Sequence, residues 1–496
     1  MQPVTVYCRA LDGMDTPAVA VEVFLSPGLP GLAIVGLVET AIKESRDRVR
    51  AAIRNSGFEM PDRRIVVSLA PADLPKSGSR FDLAIAIGIL CASKQLPAGQ
   101  LQGCEFLGEL SLSGQLRAIP GSLPSAMAAT AAGHKIVLPV ECETEAGLLR
   151  NESVLTAGTL AAVAGFLTGE QALKKATATR PNVATAQPDL AEVQGQAVAK
   201  RALEIAAAGG HHLLMCGPPG TGKSMLASRL PGILPPLTEN ELLETAAIAS
   251  LRRLLPPAWQ SRPFRAPHHS ATPAALAGGC SDPRPGEASL AHNGVLFLDE
   301  LTEFSRQALE MLREPLETGR ISIARARGTT CFPASFQLVA AMNPCPCGFA
   351  GDSHRECRCS PEQIRRYQAR VSGPFMDRID LRVEVCRERF SLNFKTAAAE
   401  SSAAVHERIM LAVGRARERT HTANARLSAA ETRRWCWPDG AGLRLLETAA
   451  NKFMLSRRAC DRTLRVARTI ADLAGDAAVA QPHIAEALNF RPLPPK

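Results

Sequence analysis

The sequence predicts an α/β protein in three parts. A small α/β domain is expected over residues 1–175, a parallel α/β sheet over 190–390 and a helical domain over 391–496. Three observations carry this. Short apolar runs alternate with helical patterns up to residue 390, which is how strands and helices interleave in α/β folds. The stretch 176–189, Ala-Thr-Ala-Thr-Arg-Pro-Asn-Val-Ala-Thr-Ala-Gln-Pro-Asp, is small, polar and proline-punctuated, as a linker would be. From residue 391 the chain is rich in Ala, Arg and Leu, with helical periodicity and no strand signal. A length of 496 residues suits about three domains at ~150 residues each.

In the first part, Val19-Ala20-Val21-Glu22-Val23 alternates as a half-buried strand does, and Arg64 to Leu69 reads as a second strand. Glu39 to Asn55 and Phe81 to Ser93 carry helical patterns. In the second part, the apolar strand His212 to Cys216 runs into Gly217-Pro218-Pro219-Gly220-Thr221-Gly222-Lys223-Ser224, and a helix starts near Ser224. A strand, this glycine loop and a helix together make a phosphate-binding loop. Backbone N–H groups close around phosphate oxygens, and the helix N-terminus adds partial positive charge. Lys223 would reach the β/γ-phosphates of ATP, and Ser224 would ligate Mg²⁺.

The strand Val295 to Leu298 ends in Asp299-Glu300. Asp299 would hold Mg²⁺ through water, and Glu300 would act as general base on the attacking water. The strand Phe336 to Met342 ends at Asn343, whose amide would orient that water. Between these strands lies Arg320-Ile321-Ser322-Ile323-Ala324-Arg325-Ala326-Arg327-Gly328-Thr329-Thr330, which alternates around a glycine as a hairpin does.

Composition narrows the class further. With 46% hydrophobic and 21% charged residues and a mean hydropathy of −0.01, the chain is globular rather than disordered or collagen-like. No apolar run reaches the ~18 residues of a membrane span. Met1 to Asp15 shows no basic segment followed by an apolar one, so the expected address is the cytoplasm. The net charge of +9 sits in the C-terminal part, where residues 361–496 hold 24 Lys/Arg against 15 Asp/Glu. That suits a polyanionic partner. Aromatics are only 4%, which argues against a base-stacking platform for single strands.

Ten of the fourteen cysteines are scattered, some in apolar runs (Cys91, Cys216, Cys386). The other four, Cys345, Cys347, Cys357 and Cys359, form C-x-C-x9-C-x-C. Four thiolates in a reducing compartment point to structural, tetrahedral Zn²⁺, with His354 as a possible substitute ligand. Four protein ligands leave no open position for catalysis.

The glycine loop, the Asp-Glu strand and the Asn-tipped strand, in this order, resemble an AAA+ ATPase. Val193 to Gln196, Ala199 to His211, Phe264 to His269 and Ser289 to Leu301 narrow the likeness to the magnesium-chelatase-like AAA+ proteins. Within these they resemble the ComM (YifB) competence-protein family, and the similarity runs through nearly the whole chain. The resemblance implies a hexameric ring that hydrolyses ATP and promotes branch migration on DNA during natural transformation. It also implies roles for particular residues. In Met376-Asp377-Arg378-Ile379-Asp380, Arg378 would be an arginine finger acting on the neighbouring subunit. In Ser456 to Arg465, Arg458 would be the sensor-2 arginine, with Arg462 or Arg465 as alternatives. The hairpin resembles the pore hairpin of minichromosome-maintenance helicases, so Arg325 and Arg327 would grip DNA phosphates without reading sequence. His268 and His269 have no chemistry derivable from sequence.

The stretches Leu74 to Ala86 and Leu107 to Arg117 resemble the Lon protease domain, an S5-like α/β fold. Lon-type chemistry needs a serine activated by a lysine. The serine position holds Arg80 and the lysine position Leu123, or Pro124 with a shift of one, while Ser77 and Ser79 are out of register. The expectation is a non-proteolytic scaffold, with Lys76 and Arg80 as DNA contacts or surface charges. Three other readings stay open: a magnesium chelatase motor subunit acting toward a porphyrin, an ATP-dependent protease and a non-enzymatic scaffold. The Lon-like domain and the cysteine insertion disfavour the first, so no porphyrin is expected.

Overall fold

The computed structural model describes residues 3–35, 40–74, 76, 78–178, 187–253, 261–279, 284–325, 328–352, 354–387 and 400–491. Two sheets organise it. The first has eight strands in the spatial order Lys174–Lys175, Val154–Ala157, Lys135–Pro139, Cys104–Phe106, Val4–Arg9, Ala18–Ser26, Arg64–Ala70 and Gly31–Val35. It is mixed: Ala18–Ser26 pairs antiparallel with both neighbours, whereas Cys104–Phe106, Lys135–Pro139 and Val154–Ala157 run parallel. The alternation at Val19, Val21 and Val23 puts those side chains in the core. The helix Asp82–Ala92 is buried from Asp82 to Cys91, as a helix apolar on all sides must be. It lies so close to the sheet that a Cβ at Gly88 would come 2.5 Å from Val23 Cγ2. Just past the edge strand Lys174–Lys175, the Ala176 N–H donates to Val154 O, and residues 179–186 of the expected linker lie outside the described residues.

Lys76 and Arg80 are corrections to the sequence reading. Both are buried, so neither is a surface charge nor placed to meet DNA. Arg80 donates to Arg9 O and Pro120 O, and burial pushes its guanidinium down to about 10. Lys76 donates to Pro71 O. Leu123 packs in the junction between the first unit and the helix Glu239–Leu251. That junction is closed by Gly121 N–H and Leu123 N–H donating to Ser250 O and Oγ.

The second sheet is all parallel, in the order Phe264–Arg265, Val295–Leu298, Gln337–Met342, Leu213–Cys216 and Leu381–Glu384. In an open parallel sheet, ligands meet the carboxyl ends of the strands. Leu298 pairs with Ala340 and Cys216 with Met342, so three neighbouring strands end at nearly the same level. Between two of them, Arg320–Arg325 and Gly328–Pro333 form the expected antiparallel hairpin, with Arg325 opposite Gly328. Its return strand packs on the first unit, where a Cβ at Gly13 would come 2.4 Å from Thr330 Cγ2.

The last part is helical: Ser402–Thr420, Ala429–Trp435, Gly440–Phe453, Arg457–Ala474 and Gln481–Asn489. Ser401, Ser428, Asp439 and Ser456 cap the first four by accepting an N–H in the first turn. Their apolar faces share one core with the helix Ala197–Gly209. No helix among the described residues is long and apolar enough to cross a membrane.

Candidate functional site

The glycine loop joins Leu213–Cys216 to the helix Lys223–Ile233. Gly220 and Gly222 have φ of 78° and 86°, a region costly for side chains with a Cβ. Gly217 is needed for another reason: a Cβ there would come 2.1 Å from Val385 O. The Thr221 hydroxyl donates to Pro218 O at 2.9 Å, folding the loop on itself.

Lys223 Nζ donates to Gly217 O (2.6 Å), Pro218 O (2.9 Å) and Asn343 Oδ1 (3.2 Å). Burial pushes its ammonium below the usual range, against the opposing pull of Cys216 and Asp299. An added anion would relieve that cost. The Ser224 hydroxyl donates to Asp299 Oδ2 at 2.6 Å, and Asp299 Oδ1 accepts the Glu300 N–H at 2.9 Å. Glu300 sits at φ 52°, which turns its carboxylate off the end of the strand. Lys223, Ser224, Asp299, Glu300 and Asn343 therefore converge at one end of the sheet. Ser224 and Asp299 offer oxygen ligands of the kind Mg²⁺ takes, and the loop with Lys223 fits a polyphosphate.

The structure adds a residue that sequence left without chemistry. His269 Nδ1 lies 3.0 Å from Glu300 Oε2, and its ring is 4.1 Å from that of His268. The Phe264 to His269 stretch identified the family but not this pair, because the two residues meet only through strand order.

Arg378 and Arg458 lie elsewhere. Arg378 is buried, donates to Arg313 O and Pro374 O, and pairs with Glu317 at 2.6 Å. Arg458, largely exposed, lies 3.8 Å from the same Glu317 oxygen. Among the described residues neither contacts the glycine loop. Arg462 is committed to Arg378 O and Asp380, and Arg465 to Thr432 and Ala425 O. Glu317, the shared partner, carried no sequence signal. Arg327 lies outside the described residues. Arg325 is placed only by its position at the end of its strand, and Ser77 also lies outside.

The four cysteine sulfurs lie within 4.8 Å of one another, with Cys345–Cys347 at 3.3 Å and Cys345–Cys357 and Cys347–Cys357 at 3.6 Å. A tetrahedral Zn–S₄ site with ~2.3 Å bonds has sulfurs ~3.8 Å apart, so the set fits. Backbone N–H groups of Arg358 and Phe349 pull the Cys347 thiol down to about 6, favouring a thiolate. His354 is not part of this cluster. The cluster abuts the glycine loop: a Cβ at Gly348 would come 2.7 Å from Pro219 Cδ, and Arg387 donates to Pro219 O.

A glycine loop at the end of a parallel 2-3-4-1-5 sheet, with an Asp-Glu pair and an Asn on adjacent strands, defines an AAA+ ATPase core. Comparison with known proteins makes the assignment specific. Residues 189–392 match the family described as magnesium chelatase, subunit ChlI; residues 21–142 match subunit ChlI of Mg-chelatase; residues 399–491 match the C-terminal part of that subunit. The chain is 49% identical to the Escherichia coli protein YifB, covering 98% of this chain and 96% of YifB. It is also 49% identical to the competence protein ComM of Haemophilus influenzae, covering 98% and 97%. A Mycobacterium tuberculosis protein is 45% identical, covering 97% of each. The chain belongs to the ComM/YifB family of magnesium-chelatase-like AAA+ proteins, and that membership implies use of ATP and Mg²⁺.

Proposed function

We propose that this chain is a cytoplasmic, ATP-hydrolysing ring motor that acts on DNA as a branch-migration helicase in homologous recombination during natural transformation. The observation that carries the reading is the hairpin Arg320–Arg325/Gly328–Pro333. In the chain it lies between the strand that leads to Asp299 and Glu300 and the strand that leads to Asn343, so both of its ends connect to elements that carry hydrolysis-site residues. The 49% identity to a protein named competence protein ComM supports the biological setting.

The site residues take these roles. The loop amides and Lys223 hold the phosphates. Ser224 and Asp299 hold Mg²⁺, which supplies charge neutralisation on the phosphates. Glu300 takes the proton of the attacking water, and Asn343 orients that water. Arg378 and Arg458 serve a neighbouring chain, which makes a hexameric ring the working unit. Glu317 parks both arginines until a phosphate of the neighbour's nucleotide competes for them. Cys345, Cys347, Cys357 and Cys359 hold a structural zinc beside Pro219. Arg325 and Arg327 meet DNA phosphates. The first α/β unit is a scaffold rather than a protease, since Arg80 and Leu123 occupy the positions of the serine and lysine.

The matched families are named for magnesium chelatase, so a motor acting toward a porphyrin is the second reading. Steady-state ATPase rates without DNA and with single-stranded, duplex and four-way-junction DNA separate the two. Stimulation that is largest with the junction, and lost with Arg325→Ala plus Arg327→Ala while the basal rate persists, supports the DNA motor. Rates that ignore every DNA refute it.

A further inference from the structure

A cavity of about 660 Å³ opens at the end of the parallel sheet opposite the glycine loop, between the ATPase core and the helical part. Strand starts form one wall, including His212 and Gln337; the end of the Ser402–Thr420 helix and the segment after it form the other. Five arginines line it: Arg262, Arg417, Arg426, Arg462 and Arg465. The three lining acids are already committed. Glu241 pairs with Arg262 (3.1 Å), Asp380 with Arg462 (2.7 Å) and Glu317 with Arg378 (2.6 Å). Arg417 and Arg426 make no side-chain hydrogen bond or ion pair among the described residues.

The electrostatics follow from that imbalance. Arg426 is exposed overall, and partial desolvation of its guanidinium pushes it below its usual range; the Glu241 charge opposes this and the Arg262 charge adds to it. Burial also pushes the Arg465 guanidinium down. His212 Nδ1 accepts the Leu338 N–H at 3.0 Å, so the ring proton sits on Nε2. Burial holds that imidazole neutral, pushed down to about 4, so it offers a donor without charge. The cavity thus has five arginines against three carboxylates, each of those already paired with an arginine, and a neutral donor. Ligand pockets commonly span ~300–1,000 Å³, and guanidinium forks match phosphate oxygens in pairs.

We propose that this cavity binds a small phosphorylated anion of nucleotide size, with Arg417 and Arg426 as its anchors. A half-open cleft between two walls, with Arg417 and Arg426 exposed at it, suits a small molecule better than a duplex, which needs a longer open groove. Bound there, the anion joins the helical part to the strand starts, at the opposite end of the sheet from the hydrolysis site. It would tie the setting of the helices to the level of that anion.

The test uses the full chain carrying Lys223→Ala, so that the glycine loop does not contribute. Inorganic pyrophosphate is titrated by calorimetry at constant ionic strength. The expected result is one saturable site per chain, weakened by ~10-fold or more when Arg417→Ala and Arg426→Ala are added. No saturable binding, or equal binding with and without the two arginines, overturns the proposal. A short duplex DNA is titrated in parallel. If the two substitutions weaken DNA binding and leave pyrophosphate unchanged, the surface is a DNA contact and the proposal fails. A second measurement avoids those substitutions. Modification of Arg417 and Arg426 by an arginine-selective dicarbonyl, read by mass spectrometry, is slowed by pyrophosphate if they hold it and unchanged if they do not.

Discussion

Glu145 stands where the first α/β unit meets the ATPase core, and its ionisation is expected to loosen that junction. It accepts a hydrogen bond from Ser122, and Ser250 and Arg253 of the core face it. Burial pushes its carboxyl from 4.5 up to about 7, against the Ser250 hydrogen bond and the Arg253 charge. Between those two values the folded chain keeps a proton that the unfolded chain has released. The unfolded state then binds fewer protons, so stability falls as pH rises through this window. Below it both states are protonated and nothing is lost; above it the loss is complete. At ~1.4 kcal/mol per pH unit the ceiling is ~3.4 kcal/mol, and partial solvent access lowers the expected loss to ~1–3 kcal/mol. Glu145→Gln removes the titrating group and keeps the shape. Urea-unfolding midpoints of the two proteins should lie closest at about pH 4 and separate by about pH 8, with the variant gaining on the wild type as pH rises. A gap that does not change with pH, or a wild type that gains on the variant as pH rises, would refute the buried-carboxyl argument.

Other outcomes follow from the hydrolysis site. Lys223→Ala should weaken ATP binding by ~100-fold or more, because the only cation in the loop is removed; equilibrium binding of a fluorescent ATP analogue checks this. Glu300→Gln should still bind ATP and turn over ~10²–10⁴-fold more slowly, and wild-type turnover would remove Glu300 from water activation. Arg378→Ala should bind nucleotide normally and lose ~10³-fold or more in turnover, with mixed wild-type and variant rings partly active. Unchanged turnover would leave Arg378 a structural residue of its own chain. Cys357→Ser should lower bound zinc, measured by elemental analysis, and speed amide hydrogen exchange at Gly220, Thr221 and Gly222, the loop residues after Pro219. Equal zinc content in wild type and variant would sink the metal assignment.

The elements that sequence made legible are those whose signal is local. Val19, Val21 and Val23 alternate because a sheet has period two, and the structure buries all three. The glycine loop was readable because Gly217, Gly220 and Gly222 each meet a backbone demand no other residue satisfies. The cysteine cluster was readable from spacing alone, since two C-x-C pairs across a short insertion have little else to do. What stayed hidden depends on contacts between distant segments. His269 reaches Glu300 only because the strands Phe264–Arg265 and Val295–Leu298 are neighbours. Glu317 gathers Arg378 and Arg458 from segments 80 residues apart. Lys76 and Arg80 read as surface charges because composition cannot show that a charged side chain is turned inward onto carbonyl oxygens.

If the working unit is the proposed ring, the placement of the arginines bears on why one chain would not be enough. Lys223 donates to the carbonyls of Gly217 and Pro218 and Arg387 to that of Pro219, and Ser224 and Asp299 are hydrogen-bonded close by. Transfer of a phosphoryl group spreads negative charge over oxygens that a single lysine and a metal only partly balance. Arg378 and Arg458 are further cations, and both lie against Glu317, away from the loop. Swinging Arg378 into its own site would break its bonds to Arg313 O and Pro374 O and strand a buried guanidinium. Bringing a second copy to the Glu317 edge exchanges one anionic partner for another and leaves the fold intact. On the proposed ring reading, a neighbour's nucleotide is then the less costly destination for Arg378 and Arg458. On the ring reading, hydrolysis and subunit contact become the same event, and an isolated chain should bind ATP well and hydrolyse it poorly.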